Sequence, residues 1–305
     1  MSAVSESVTG IKVTGINGTV FDLVNGTEGV VLTAGLGGVL LPSFHRQDTR
    51  TARAPGRRVG GIKWDPSTLR AQVTVADTWQ SRPDGRFRKG AAWVDLDRTF
   101  KGAFSPLASS LVTVSAPNGP RTLRGRLEGL QDVTDDGPMR DVHGRADYEL
   151  TLGADHPFWQ GAPVVYDFPY SDTGGGNYYG PTNAAPPFVI SRANALASAT
   201  VLNPGEVPAY PTWEITGPAQ ATVGVGDHVT EVEALATGQR LTIVTDPNGM
   251  AATDGDGNRA WLLLRTWDFA ALPAGESSTV LASIVSGGPG ASIRMTFAPN
   301  YLSWQ

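Results

Sequence analysis

Residues 203–218 read NPGEVPAYPTWEITGP, with four prolines and two glycines around one short aromatic run, Tyr210 to Ile215. Each proline fixes its own φ and pushes the residue before it toward extended geometry, so Asn203, Val207, Tyr210 and Gly217 are all steered away from helix. The segment reads as a corner that feeds a short strand at an exposed sheet edge. A chain that spends sixteen residues in this way is building sheets and turns.

The rest of the chain agrees. Its 305 residues suit about two domains and are enough to bury real cores. With 37 glycines and 22 prolines and no repeating period, the composition favours a turn-rich all-β protein over collagen or a disordered tract. There is no cysteine, hence no disulfide framework and no thiolate metal site. Residues 1–20 lack a basic segment followed by an apolar one, and no window approaches the roughly 18 apolar residues of a membrane span. The expectation is a soluble protein made in the cytosol, with no stable membrane insertion. Charge is uneven. Residues 1–157 carry 19 Lys/Arg against 17 Asp/Glu, while 158–305 carry 5 against 12, so the halves differ at +2 and −7 and are expected to face different surroundings.

Alternation is clearest in LRAQVTVADTW, where Leu69, Ala71, Val73, Val75 and Trp79 share one face of a half-buried strand. Similar runs follow at Leu111–Val114, Leu123–Leu127 and Tyr148–Leu152, and Asn17-Gly18 and Asn25-Gly26 suggest hairpin turns. One segment breaks the pattern. Trp93, Leu96, Phe100, Ala103 and Phe104 recur at three- and four-residue steps, which predicts a single amphipathic helix ended by Pro106. Near residue 157 the texture turns proline-, glycine- and aromatic-rich, and the domain boundary is placed there, giving 1–157 and 158–305. The second half again reads as short strands, at Phe188–Ile190, Thr200–Leu202, Trp213–Thr216, Gln239–Val244, Ala260–Arg265, Ser278–Val285 and Ile293–Phe297, which argues for a two-sheet sandwich.

Chemistry is sparse. His45, His143, His156 and His228 lie apart, none beside another at ligand spacing. Asp254, Asp256 and Asn258 begin like a calcium loop, but Arg259 stands where glycine is needed and Arg265 where glutamate is, so a tight turn is the reading. GLGG at 35–38 lacks the context of a dinucleotide loop. Asp95 and Asp97 sit two apart on the helix and point in different directions. No catalytic residue, metal ligand or cofactor site is nominated. The basic stretch Arg46–Trp64, with Arg46, Arg50, Arg53, Arg57 and Arg58, lacks the aromatic interleaving of a nucleic-acid arm and sits on a net acidic chain. It is read as an arginine-rich loop that is either solvated or meets an acidic face of a neighbouring subunit, and direct binding of nucleic acid is not expected.

An alternating β domain with one helix, an Asn-Pro-Gly corner before YPTWEITGP, then TGQRLTIVTDPNG, LPAGESSTV and a terminal RMTFAPNYLSW together resemble the distal tail proteins of long-tailed siphovirus phages, a family often described as minor tail proteins. The resemblance runs through nearly the whole chain in order. It implies an N-terminal belt domain that assembles into a homo-oligomeric ring, usually a hexamer, and a C-terminal galectin-like β-sandwich. It further implies a structural virion protein at the tail tip that joins the tail tube protein to the tail-tip or baseplate hub protein, without catalysis, after synthesis in the cytoplasm of a bacterial host. In this light Trp213 and Ile215 point inward from a sandwich strand, and Trp93, Leu96, Phe100 and Phe104 pack the helix on the belt sheet. The competing reading is a carbohydrate-binding module in which Trp159, Tyr178 and Tyr179 stack on host-surface glycans.

Overall fold

The computed structural model describes residues 10–38, 41–49, 58–76, 91–133, 144–170 and 195–304. The protein is mainly β with one α-helix among the described residues, as the sequence predicts. It divides into two compact units, Met1–Ala162 with Tyr301–Gln305, and Pro163–Asn300. The division falls five residues after the expected boundary, and the last five residues return to the first unit, which the sequence did not suggest.

In the first unit the strands are β1 (Gly10–Thr14), β2 (Val20–Asp22), β3 (Val30–Gly37), β4 (Phe44–Thr49), β5 (Arg58–Trp64) and β6 (Ser67–Ala76). Helix α1 (Ala91–Gly102) follows, then β7 (Ser110–Ala116), β8 (Gly119–Asp132), β9 (Arg145–Ala154) and β10 (Trp159–Gln160). One antiparallel sheet runs in the order β2-β1-β7-β8-β9-β6-β3, with β10 on β8. β6 carries the predicted alternation: Leu69, Ala71, Val73 and Val75 are buried, and Arg70 and Gln72 are exposed. Trp79 lies outside the described residues. The Asn17-Gly18 turn makes the expected hairpin between β1 and β2, with Gly18 at φ 80°. The Asn25-Gly26 turn does not make one. β2 and β3 stand at opposite ends of the strand order, and the sheet curls until the Leu32 N–H donates to the Leu23 carbonyl at 2.8 Å.

Helix α1 packs on the core that this curl encloses. Trp93, Phe100, Ala103 and Phe104 are buried and Leu96 is partly so, as the spacing predicts. Phe100 meets Phe21 edge-on at 5.6 Å and Tyr148 in a stack at 5.8 Å, and the Trp93 indole N–H donates to the Val75 carbonyl at 3.3 Å. The helix stops at Gly102, four residues before Pro106. Ala103 and Phe104 therefore reach the core from the turn beyond the helix and not from its last coil.

The second unit holds two five-stranded antiparallel sheets around one core. Its strands are β11 (Val164–Pro169), β12 (Ala195–Leu202), β13 (Thr212–Thr216), β14 (Ala219–Val225), β15 (His228–Leu235), β16 (Arg240–Val244), β17 (Ala251–Asp254), β18 (Leu264–Thr266), β19 (Ser277–Gly287) and β20 (Ser292–Phe297). One sheet runs β11-β20-β13-β16-β17 and the other β12-β19-β14-β15-β18. Trp213 and Ile215 point into the core, with Leu241, Ile243, Ile293 and Met295 beside them.

The proline-bracketed strand, however, is not at an edge. β13 lies in the middle of its sheet and pairs on both sides, with β16 and β20. Pro211 and Pro218 stand just outside it, so every amide from Thr212 to Thr216 is free to donate to the ladder. The corner before it is built on Asn203, which is fully buried: its amide donates to the carbonyls of Val207 (3.2 Å) and Leu272 (3.0 Å), and its Oδ1 accepts from the Gly205 N–H (3.0 Å). The run Ala260–Arg265, read as a strand, begins instead with a 3-10 turn at Trp261–Leu263 before β18. An apolar run without alternation carries no periodicity to separate the two. Phe188–Ile190 lies outside the described residues.

Candidate functional site

Three features stand out beyond the two cores: a hairpin on the first unit, a polar groove on the second, and a cluster around the buried Asp97 of α1.

The basic stretch expected as a loop is, where described, a β-hairpin. β4 and β5 pair with each other and with no other strand among the described residues, and Phe44 faces Trp64, Arg46 faces Ile62 and Thr49 faces Arg58. Arg50, Arg53 and Arg57 lie outside the described residues. Its polar alternation, FHRQDT against RVGGIKW, has no apolar face long enough to show in the sequence as a half-buried strand. At its base four rings run in sequence: Phe44 to Trp64 (5.4 Å), Trp64 to Phe158 (5.3 Å) and Phe158 to His156 (5.4 Å). His45 reaches Asp65 at 3.2 Å, and Arg46 lies 3.8 Å from Asp48. Phe44, the outermost of these rings, and Ile62 on the facing strand are exposed. A two-stranded ribbon is marginal in water without a further layer against it, and this one presents apolar and cationic side chains together, the composition of an interface.

The second feature is a groove of about 360 Å³ on the outward face of the sheet β11-β20-β13-β16-β17. It follows from strict alternation. While Trp213, Ile215, Leu241, Ile243, Ile293 and Met295 turn inward, their neighbours turn out. Register then places them in two rows across the strands. One runs Asp167, Arg294, Glu214, Thr242 and the other Ser292, Thr216, Arg240. Arg294 donates to Asp167 at 2.6 Å, and that bond, with the charges of Asp167 and Glu214, raises its guanidinium above the ordinary value. The sequence reading passed over these residues because TWEIT, RLTIV and SIRMTF each look like an ordinary half-buried strand. Only register brings their polar positions together.

At the rim of this groove residues 254–258 make the tight turn that the sequence predicts, and it closes on itself. The Asp254 carboxylate accepts from the backbone N–H groups of Asn258 (2.8 Å) and Asp256 (3.0 Å) and from the Asn258 side chain (3.2 Å). These bonds, that of the Asn258 backbone first, hold its pKa below the ordinary carboxylate value. Among the described residues no group of three or more His, Asp or Glu is placed to hold a metal ion. His228 pairs with Asp268 at 3.0 Å, and His143 lies outside the described residues.

The third feature answers the question of the two helix carboxylates. Asp95 faces solvent and pairs with Arg98. Asp97 is buried, accepts from the Tyr148 hydroxyl at 2.5 Å and meets the Lys101 ammonium at 2.7 Å. This cluster ties helix to sheet.

The proposed glycan-stacking aromatics are not one surface. Trp159 is buried in the core of the first unit, so it cannot stack on a ligand, and Tyr178 and Tyr179 lie outside the described residues. Among the described residues the exposed tryptophan is Trp267, which meets Trp261 edge-on at 6.0 Å, and Leu262 next to Trp261 is nearly fully exposed. No helix among the described residues is long and apolar enough to cross a membrane.

No family model and no curated protein matches the sequence. Solved structures do match in shape. The crystal structure of the Dit protein of phage SPP1, described as a paradigm of the hub adsorption apparatus in phages infecting Gram-positive bacteria, superposes with a TM-score of 0.57 at 15% identity, covering 95% of this chain and 98% of that one. A chain of the phage P2 baseplate, in its activated conformation with calcium, gives 0.46 at 12% identity over 90% of this chain and 97% of that one. The protein has the fold of the SPP1 Dit protein along nearly its whole length, and the resemblance drawn from the sequence holds at the level of fold.

Proposed function

We propose that this chain is a structural subunit of a phage tail, a distal tail protein. Its first unit acts as the belt and closes with copies of itself into a ring, and its second unit is a galectin-like sandwich. The observation that carries the reading is the end-to-end likeness to SPP1 Dit, which includes both units in order and leaves almost none of either chain unmatched. The hairpin β4–β5 supports it. A ribbon with no further strand beside it among the described residues, bearing Arg46 and the exposed Phe44 and Ile62, is suited to a neighbouring copy.

In this reading six copies form the ring, the tail tube protein lies on one side and the tail-tip or baseplate hub on the other, and the protein resides in the virion after synthesis in a bacterial cytoplasm. Catalysis has no part in it: purified protein is expected to leave cell-wall polysaccharide and nucleic acid intact. The test is negative-stain imaging of the purified full chain together with its mass by light scattering. A ring with a central hole and a mass of about six chains is expected. A monomer at tens of micromolar would overturn the proposal.

A further inference from the structure

We infer that the groove on the second unit is a binding site for a neutral saccharide, a function separate from ring assembly. Its floor is made of strands β20, β13 and β16, whose backbone groups are already paired on both sides, so a peptide cannot add to it as a strand. Nor does it offer the apolar pockets that a docked helix or peptide side chain requires: Ile215 and Leu241 border it but bury their side chains in the core, and the side chains that face it are carboxylates, guanidiniums and hydroxyls. Its volume lies within the usual range for small-ligand sites, about 300–1,000 Å³.

The balance of groups then selects among small ligands. Asp167, Glu214 and Asp254 outnumber Arg240 and Arg294, which disfavours a polyanion. Arg294 is engaged by Asp167, and the Asp254 carboxylate is engaged by its own turn. What faces the groove is an acceptor, Glu214, a donor fork, Arg240, and the hydroxyls of Thr216 and Thr242 between them. A sugar hydroxyl both donates and accepts, so a pyranose with adjacent hydroxyls can engage acceptor, donor and hydroxyl at once, as neither a cation nor an anion can. All four residues stand on central strands, which holds their spacing rigid.

The experiment screens the purified full chain against an immobilised array of neutral and anionic oligosaccharides, then measures any hit by calorimetry. Three variants are compared: Arg240→Ala and Glu214→Gln in the groove, and Trp267→Ala on the exposed aromatic patch of the same unit. Binding of at least one neutral glycan at about millimolar affinity or better is expected, weakened about tenfold or more by either groove variant and unchanged by Trp267→Ala. Retention of only anionic glycans, loss through Trp267→Ala with the groove variants unaffected, or no neutral glycan bound at all would each overturn the inference. The result is independent of the ring: the mass of the particle reports assembly, and the array reports the groove.

Discussion

Tyr148 donates its hydroxyl to the buried carboxylate of Asp97 at 2.5 Å, across the contact between the lone helix and the sheet. Lys101, one turn along the helix, holds the other oxygen at 2.7 Å and lies 5.1 Å over the Tyr148 ring. The helix is thus tied to strand β9 by a charge-assisted bond as well as by its apolar stripe. Tyr148→Phe keeps the ring stack with Phe100 but leaves a buried carboxylate short of a donor, and should cost about 1–3 kcal/mol. Trp93→Ala removes a fully buried indole and its bond to Val75, and should cost about 3–5 kcal/mol. Chemical denaturation of the two variants against the parent checks both, and a Trp93→Ala protein that unfolds at the parent's midpoint would make the helix peripheral.

Asn203 gives a sharper ordering. Its amide donates to two carbonyls and its oxygen accepts one N–H, all buried. Asn203→Ala strands those three groups and should cost about 3 kcal/mol or more. Asn203→Asp should be worse at neutral pH, because a carboxylate cannot donate to the Val207 and Leu272 carbonyls and instead sets a charge against them. Melting temperatures in the order parent, Ala, Asp are expected. An Asp variant as stable as the parent would mean that the corner relaxes without its hydrogen bonds.

These two networks mark the limit of what could be read in advance. The helix stripe, the alternation of β6 and the inward pair Trp213 and Ile215 were legible because period and burial coincide along one stretch of chain. The central place of β13 was not, since prolines at 211 and 218 look the same whether they blunt an edge or merely bracket a buried strand. The hairpin β4–β5 was hidden by its lack of an apolar face, and the return of Tyr301 to lie 3.5 Å over the Arg121 guanidinium by a separation of 180 residues, across which no periodicity acts. The groove belongs to the same class: each strand contributes only one or two polar side chains to it, and only pairing between strands far apart in sequence assembles Glu214, Arg240 and Arg294.

The Asp254 turn makes a prediction about pH. Hydrogen bonds in the folded state hold the Asp254 pKa below its unfolded value, so the folded state favours the ionised form. Its contribution is therefore fully present above the unfolded carboxylate pKa and is lost as pH falls through the lowered folded one. Asp254→Ala should reduce the melting temperature at pH 7, and the gap to the parent should close as the pH is taken down to about 2–3. A gap that stays constant across that range would assign the loss to something other than the charge on Asp254.

Assembly is expected to depend on the hairpin and not on the second unit. The earlier division at 157 suggests testing each half alone, but the structure argues against a simple cut. Tyr301 and Trp304 pack with the first unit, and a fragment ending near 162 would lose the ring that covers Arg121. The full chain is the better vehicle. Phe44→Ser with Ile62→Ser removes the exposed apolar contacts of the ribbon, and replacing Arg46, Arg50, Arg53, Arg57 and Arg58 with glutamate reverses its charge. Either set should lower the mass from the ring to the single chain in light scattering, while the far-ultraviolet spectrum stays β-like, since Phe44, Arg46 and Ile62 lie outside both cores. If contact with an acidic neighbour matters, the parent ring should also loosen as salt is raised, since exposed charges separated by about 10 Å or more are screened at 0.1 M. The same substitutions on the second unit's exposed patch, Leu262→Ser and Trp267→Ser, should leave the mass unchanged. A ring that survives both hairpin variants and falls apart with the patch variants would place the joint on the second unit and refute the belt assignment.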